Sequence, residues 1–225
     1  HTNSIYTWYR QITLGNKDVK WETVKKTNFG VDYGFLGGLI TGSLDFFCDR
    51  RNDILIFGDN RSIPSYFGTT APTINKGKVR TSGYELELKL NKKFANGIRL
   101  WGNFNMTHAK NKVLLKDDAQ LTPNYQKEAG YSMGQYHSYI DRGFINDIDD
   151  LIGSPAHESN DNHRLVGDYY IVDFNGDGVV DSKDSAPVGY SSNPQNTYNA
   201  TIGIEYKGFS AFAQFYGVTN VTRDV

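Results

Sequence analysis

The sequence is poor in the features that mark most function classes. It carries one cysteine in 225 residues, Cys48, which excludes an internal disulfide framework and a cysteine-based zinc site. Cys48 sits in an alternating run and is read as a small apolar side chain on an outer or core face. No apolar run approaches the roughly 18 residues of a membrane-spanning helix. Lysine and arginine number 24 against 25 aspartates and glutamates, a net charge of −1. That balance offers no nucleic-acid surface. There is no Gly-x-Ser-x-Gly, no phosphate loop and no dinucleotide fingerprint. The 5 histidines lack metal-ligand spacing, and no carboxylate pair stands out for acid–base work. No enzymatic activity is therefore expected. The chain opens at His1 rather than at a methionine, as expected of a mature or partial chain.

What is abundant is β-forming. Tyrosine (15), phenylalanine (13) and glycine (23) dominate, a mixture that suits strands better than helices. Thr27–Asp49 reads as a complete amphipathic hairpin. Phe29, Val31, Tyr33 and Phe35 alternate with Asn28, Gly30, Asp32 and Gly34, and after Gly37-Gly38 the pattern resumes through Ile40, Gly42, Leu44, Phe46 and Cys48. Period-two alternation puts one set on each face of a strand, and Gly-Gly suits a tight turn. Each arm is near the 9–11 residues that a tilted strand needs to cross a bilayer. The mean hydropathy is negative, which a barrel tolerates because alternation and polar loops dilute its apolar residues.

The unit recurs. Hairpins are expected over about 24–51, 78–113 and 196–220, with tight turns at Gly37-Gly38, Ala95–Gly97 and Lys207-Gly208. Residues His1–Val19 read as a loop. The connections between hairpins, about 52–74 and 114–193, are long, and long connections are usually functional. Strict alternation of tight and long connections puts all tight turns at one end of an up-and-down sheet. Outer-membrane barrels are built this way. Phe35, Phe94, Tyr206 and Phe209, near the tight turns, suit an interfacial girdle. Glu85, Glu87, Lys89, Arg99 and Glu205 then belong on a wet inner face, where they are expected to pair. The fold expected is all-β, an antiparallel transmembrane β-barrel segment of about six strands with long extracellular loops.

One local motif stands out. Asp173, Asn175, Asp177, Asp181 and Asp184 fall at positions 1, 3, 5, 9 and 12 of an EF-hand-type loop, with the Val179 carbonyl at position 7 and Gly178 at the sharp turn. Four carboxylates and an amide suit Ca²⁺, which takes about six to eight hard oxygens. The flanks read as strand (Tyr169–Val172) and loop, so the expected role is a clamp that stiffens an external loop rather than a switch. The aromatic stretch Gly130–Gly143 supplies Tyr136, Tyr139 and Arg142 as candidate ligand contacts.

At family level, Asn75-x-Gly77-Lys78-Val79-x-x-x-Gly83-Tyr84-Glu85 resembles a strand signature of SusC/RagA-type TonB-dependent outer-membrane transporters. Lys20-Trp21-Glu22-Thr23 with Asn28-x-Gly30-x-Asp32-x-Gly34, and Gly42-Ser43-x-Asp45-Phe46-Phe47, are similar to the preceding strands. Gly130-Tyr131-Ser132-Met133-Gly134-Gln135, Tyr169–Asp184 and Tyr206-Lys207-Gly208-Phe209 resemble later segments, all in the family's order. The resemblance implies a barrel of about 22 strands around an N-terminal plug in a Gram-negative outer membrane. It implies uptake of a glycan or oligopeptide under a SusD-like surface lipoprotein. Energy would come from the TonB–ExbB–ExbD complex through the plug, which this stretch lacks. Outer-membrane lipid is an implied partner and nucleic acid is not. The chain is then a middle-to-late part of the barrel. The alternative is a secreted, Ca²⁺-stabilised β-sandwich for glycan binding or adhesion, in which the apolar face is hidden by a second sheet.

Overall fold

Alternation becomes geometry in six long antiparallel strands. The computed structural model describes Tyr9 and residues 14–64, 66, 68–159 and 161–223, so most of the loop expected over His1–Val19 lies outside the described residues. The long strands are β1 (Thr23–Phe35), β2 (Ile40–Ile56), β3 (Ile74–Lys93), β4 (Arg99–Leu115), β11 (Asn196–Tyr206) and β12 (Phe209–Thr219). They form one sheet in the order β1-β2-β3-β4-β11-β12, in which every neighbouring pair is antiparallel.

The tight connections follow their turn chemistry. Leu36, Gly37 and Gly38 all have positive φ (56°, 65° and 87°) between β1 and β2, and two of the three are glycines, which adopt it without steric cost. Lys207 and Gly208 (φ 47° and 86°) turn β11 into β12, as a two-residue primed turn requires. β3 and β4 close through Phe94 N–H to the Ile98 carbonyl at 2.8 Å. The turns are staggered. Phe35 and Ile40 lie in register with Leu90, three residues before β3 ends at Lys93, while Arg99 is in register with Glu205, one residue before β11 ends at Tyr206. A stagger in one sense is what tilted barrel strands require.

The register sorts side chains cleanly. Phe35, Ile40, Leu90, Gly102, Ile202 and Ala213 share one row; Val31, Leu44, Leu86, Met106, Tyr198 and Gly217 share another on the same face. The opposite face carries Asp32, Ser43, Glu87, Asn105, Asn199 and Tyr216 in one row. Among the described residues no hydrophobic core lies under the apolar face: Phe29 (66%), Ile202 (63%), Phe209 (82%) and Phe215 (62%) remain exposed. The second sheet of a sandwich is absent among the described residues. Buried apolar side chains lie instead at the strand ends away from the tight turns and in the connections, as Ile56, Ala71, Val79 and Val113, and as Ile145, Val180 and Ala186. No described helix is long and apolar enough to cross a membrane.

The strands reach further than the alternation suggests at the end away from the tight turns. β2 passes an irregularity between Arg51 and Ile54, with Asp53 at φ 58°, and resumes to Ile56 opposite Ile74. A bulge lets the ladder continue past a break in the pattern. The connection expected to be a loop over 114–193 is not structureless. It contains β5 (Gln135–Ser138) paired with β10 (Ala186–Ser191), β6 (Asp141–Phe144) with β8 (Tyr169–Ile171), β7 (Ala156–His157) with β9 (Val179–Val180), and the short helix α1 (Ile148–Gly153).

Candidate functional site

Two regions hold the polar chemistry: the polar face of the sheet and the long insertion above it. On the polar face the charged residues singled out by alternation do lie together. Lys89 Nζ is 2.8 Å from Glu87 Oε1, and Arg99 Nη1 is 3.2 Å from Glu205 Oε2. Arg99 Nε also donates to Asn91 Oδ1 at 3.0 Å. Glu85 differs: it stands opposite Asp45, and both line a groove with Lys26, Asn28, Phe47 and Asp49. Nearer the tight turns the Trp101 ring lies over Gly203, where a Cβ would come within 2.3 Å of it. Trp101 Nε1 and the neighbouring Asn103 Oδ1 are buried without a hydrogen-bond partner. Alternation placed both on this face, but nothing in the sequence marked them as incomplete.

The acidic loop is built around two carboxylates. Asp173 Oδ1 accepts the Gly176 amide at 2.7 Å and the Asp177 amide at 3.2 Å, and its Oδ2 accepts the Gly178 amide at 2.7 Å. Asp184 has no exposed surface; it accepts from Phe174 and Asn175 through Oδ1 and from Asp181 through Oδ2, at 2.8–3.1 Å. Asn175 Oδ1 accepts from Asp177, and Asp177 Oδ1 from Val179. Lys183 Nζ lies 2.6 Å from Asp181 and 3.6 Å from Asp177. The hydrogen bond between them holds the Asp181 carboxyl below its ordinary value and the Lys183 ammonium above. The six residues named from the spacing therefore share one loop. Among the described residues no three carboxylates, histidines or cysteines are posed around a common metal position.

A signal the spacing did not carry is how this loop is tied down. The Tyr125 hydroxyl donates to the Lys183 carbonyl at 2.7 Å, and the Gln126 side chain donates to the Ser182 carbonyl at 3.1 Å. The Tyr125 ring meets Phe174 edge-on at 4.8 Å. Burial, then the charges of Asp184, Asp177 and Asp181, push the Tyr125 phenol up. Of the expected ligand contacts, Tyr136 lies on β5, Tyr139 is exposed between β5 and β6, and the Arg142 guanidinium stacks on Tyr170 at 3.6 Å. The 57–73 connection is held to the insertion by Asp117, which takes Arg61 Nε at 3.1 Å and Lys76 Nζ at 2.5 Å. The Lys76 and Arg61 contacts hold its carboxyl below the usual range against the opposing effect of burial.

A sheet apolar on one face, charged on the other and tight-turned at one end matches a known group of proteins. The model of the family described as TonB dependent receptor-like, beta-barrel matches residues 2–224.

The chain belongs to the TonB-dependent receptor β-barrel family.

It is 25% identical over 209 residues to TonB-dependent receptor P3 of Formosa agariphila, covering 87% of this chain and 20% of that protein. It is 26% identical over 178 residues to TonB-dependent receptor SusC of Bacteroides thetaiotaomicron, covering 75% of this chain and 17% of SusC. Among solved structures, the RagAB peptide transporter shares the fold over 93% of this chain and 22% of that one, at TM-score 0.68 and 20% identity. The RagAB peptide importer in its "open-open" state gives TM-score 0.69. The chain thus spans about a fifth of the length of these relatives. Within this family of receptors, the six strands are barrel wall and their apolar face is the outer one.

Proposed function

We propose that this chain is the wall and outer vestibule of an outer-membrane importer that takes up a glycan or oligopeptide by TonB-dependent transport. The observation that carries this reading is the sheet itself. Its apolar face has no protein cover among the described residues, and its opposite face carries paired charges. Lipid is the solvent that favours the first and a water-filled lumen the second. The tight-turn end then faces the periplasm and the insertion faces outward. A SusD-like lipoprotein is the proposed lid over the insertion, and TonB–ExbB–ExbD the energy source through the plug. Membrane fractionation with detergent extraction, followed by intact-mass analysis, tests the reading. A detergent-dependent outer-membrane species that co-purifies with a lipoprotein supports it. A species that stays soluble without detergent overturns it.

The acidic loop belongs to the same proposal as a Ca²⁺ clamp. Its support is the run of oxygen donors Asp173, Asn175, Asp177, Asp181 and the Val179 carbonyl, with four carboxylates, Asp184 included, against the single cation Lys183. Ca²⁺ titrated calorimetrically into chelator-treated protein is expected to release or absorb heat. No heat above buffer removes the ion from the account.

A further inference from the structure

Among the described residues, a group of cations on the outer face, at the end away from the tight turns, has no acidic partner. The register carries one row across all six strands: Phe29, Phe46, Tyr84, His108, Asn196 and Thr219. The Phe46 and Tyr84 rings are 6.4 Å apart, and Tyr84 stacks on His108 at 5.2 Å. Such a row marks where acyl chains end, since amphipathic rings sit at headgroup level. Further from the tight turns on the same face, Lys25, Arg50, Arg80 and Lys112 stand directly opposite one another on β1 to β4, with Lys110 in the row between, opposite Ser82. All five are exposed. Same-face neighbours across these rows include Thr23, Thr27, Cys48 and Asn52, together with a further exposed cation, Lys78, two residues before Arg80 on β3. None of the five cations pairs with a described carboxylate.

Like charges facing each other across strands destabilise a sheet, so this row is electrostatically incomplete without anions. Four residues of strand place it about 13 Å along the chain beyond the aromatic row, or about 10 Å in height at barrel tilt. That is the level of lipid headgroups. Lys110 and Lys112 also line a cavity of about 250 Å³ with Gly130, Ser132, Gln135 and Tyr190.

We propose that Lys25, Arg50, Arg80, Lys110 and Lys112 form a binding site for phosphate-bearing lipid headgroups of the leaflet around the long-connection end. The proposal rests on the membrane reading above. Lipid is favoured over a free anion because the cationic row continues directly from an apolar face and an aromatic row. A ligand carrying both acyl chains and phosphate satisfies all three at once. Arg50 and Arg80, at the centre, present planar guanidinium forks that take phosphate oxygens in pairs.

The test uses the native protein carrying this sequence, in nanodiscs and by native mass spectrometry, with a phosphorylated glycolipid as probe and its dephosphorylated form as comparison. Arg50→Gln/Arg80→Gln is expected to weaken binding of the phosphorylated lipid by about tenfold or more, and Lys25→Gln/Lys112→Gln by less. Lys92→Gln/Lys93→Gln, at the opposite end, leaves it unchanged. In detergent free of phosphate the Arg50/Arg80 variant is at least as stable as the parent, because repulsion is relieved. Equal binding by parent and double variant, or by phosphorylated and dephosphorylated lipid, overturns the proposal, as does full displacement by inorganic phosphate. A protein that enters bilayers but shows equal binding overturns the headgroup site alone; one that never enters bilayers overturns the membrane reading with it.

Discussion

Asp184 and Asp117 use the same side chain for two kinds of closure. Asp184 satisfies three backbone donors in a fully buried place. Asp184→Asn replaces one acceptor oxygen by a donor and leaves amides unpaired. Native-state hydrogen exchange is expected to show faster exchange at Phe174, Asn175 and Asp181, with local opening easier by about 2 kcal/mol. Asp117, at the start of the insertion, holds Arg61 of the 57–73 connection and Lys76 of β3. Its carboxyl is held below the ordinary value, so the folded form binds its proton less readily than the unfolded form. Its contribution is fully present above the unfolded value and is lost as pH falls through the depressed folded one. Limited proteolysis of the 57–73 connection should therefore stay slow at neutral and mildly acidic pH and rise only in stronger acid. Asp117→Asn should show the fast pattern at neutral pH. Gly42 is required by a close approach. The Tyr33 hydroxyl crosses it to donate to the Glu87 carbonyl at 3.0 Å, and a Cβ there would lie 2.0 Å from that carbonyl. Gly42→Val should cost about 1–3 kcal/mol in denaturant unfolding from lipid vesicles.

At the scale of the element, face assignment is the testable content. Leu44 faces Val31 and Leu86 on the apolar side, while the adjacent Ser43 faces Asp32 and Glu87. Leu44→Arg should destabilise the protein in vesicles by about 2–4 kcal/mol, the lipid-face cost of a cation near the midplane, and Ser43→Arg by far less. Strand identity and face were legible from Thr27–Asp49, Tyr84–Leu90 and Ile98–Met106, because a pleated chain enforces period two whatever surrounds it. Strand ends were less legible. Lys25, Arg50, Arg80 and Lys112 break the apolar pattern yet remain in register, since ladder hydrogen bonds do not depend on side-chain polarity. The short pairings β5–β10, β6–β8 and β7–β9 join residues 23 to 56 positions apart, beyond any local pattern.

At the scale of the molecule, β1 and β12 each keep one edge unpaired among the described residues. An open edge in lipid leaves backbone donors and acceptors unsatisfied. The 225-residue segment produced alone is therefore expected to self-associate through these edges, which sedimentation in detergent will show as a broad distribution. The native protein carrying it should sediment as a single detergent-bound species. The acidic loop shows the same division of information. Its donors were legible at fixed spacing, but its attachment through Tyr125 and Gln126 was not, because those residues lie about fifty positions upstream in a stretch without periodicity.

The sequence by itself determined the strands, the two faces, the alternation of tight and long connections and the oxygen-rich loop. Each depends on residues within a few positions of one another, where backbone sterics and side-chain alternation act locally. Only the tertiary structure decided which residues stand side by side across strands. The pairing of Arg99 with Glu205, the burial of Asp184, the orphaned polar atoms of Trp101 and Asn103, and the cationic row from Lys25 to Lys112 all depend on register. Register is a global property: it is set where distant strands hydrogen-bond, and a shift of one residue would turn every side chain to the other face.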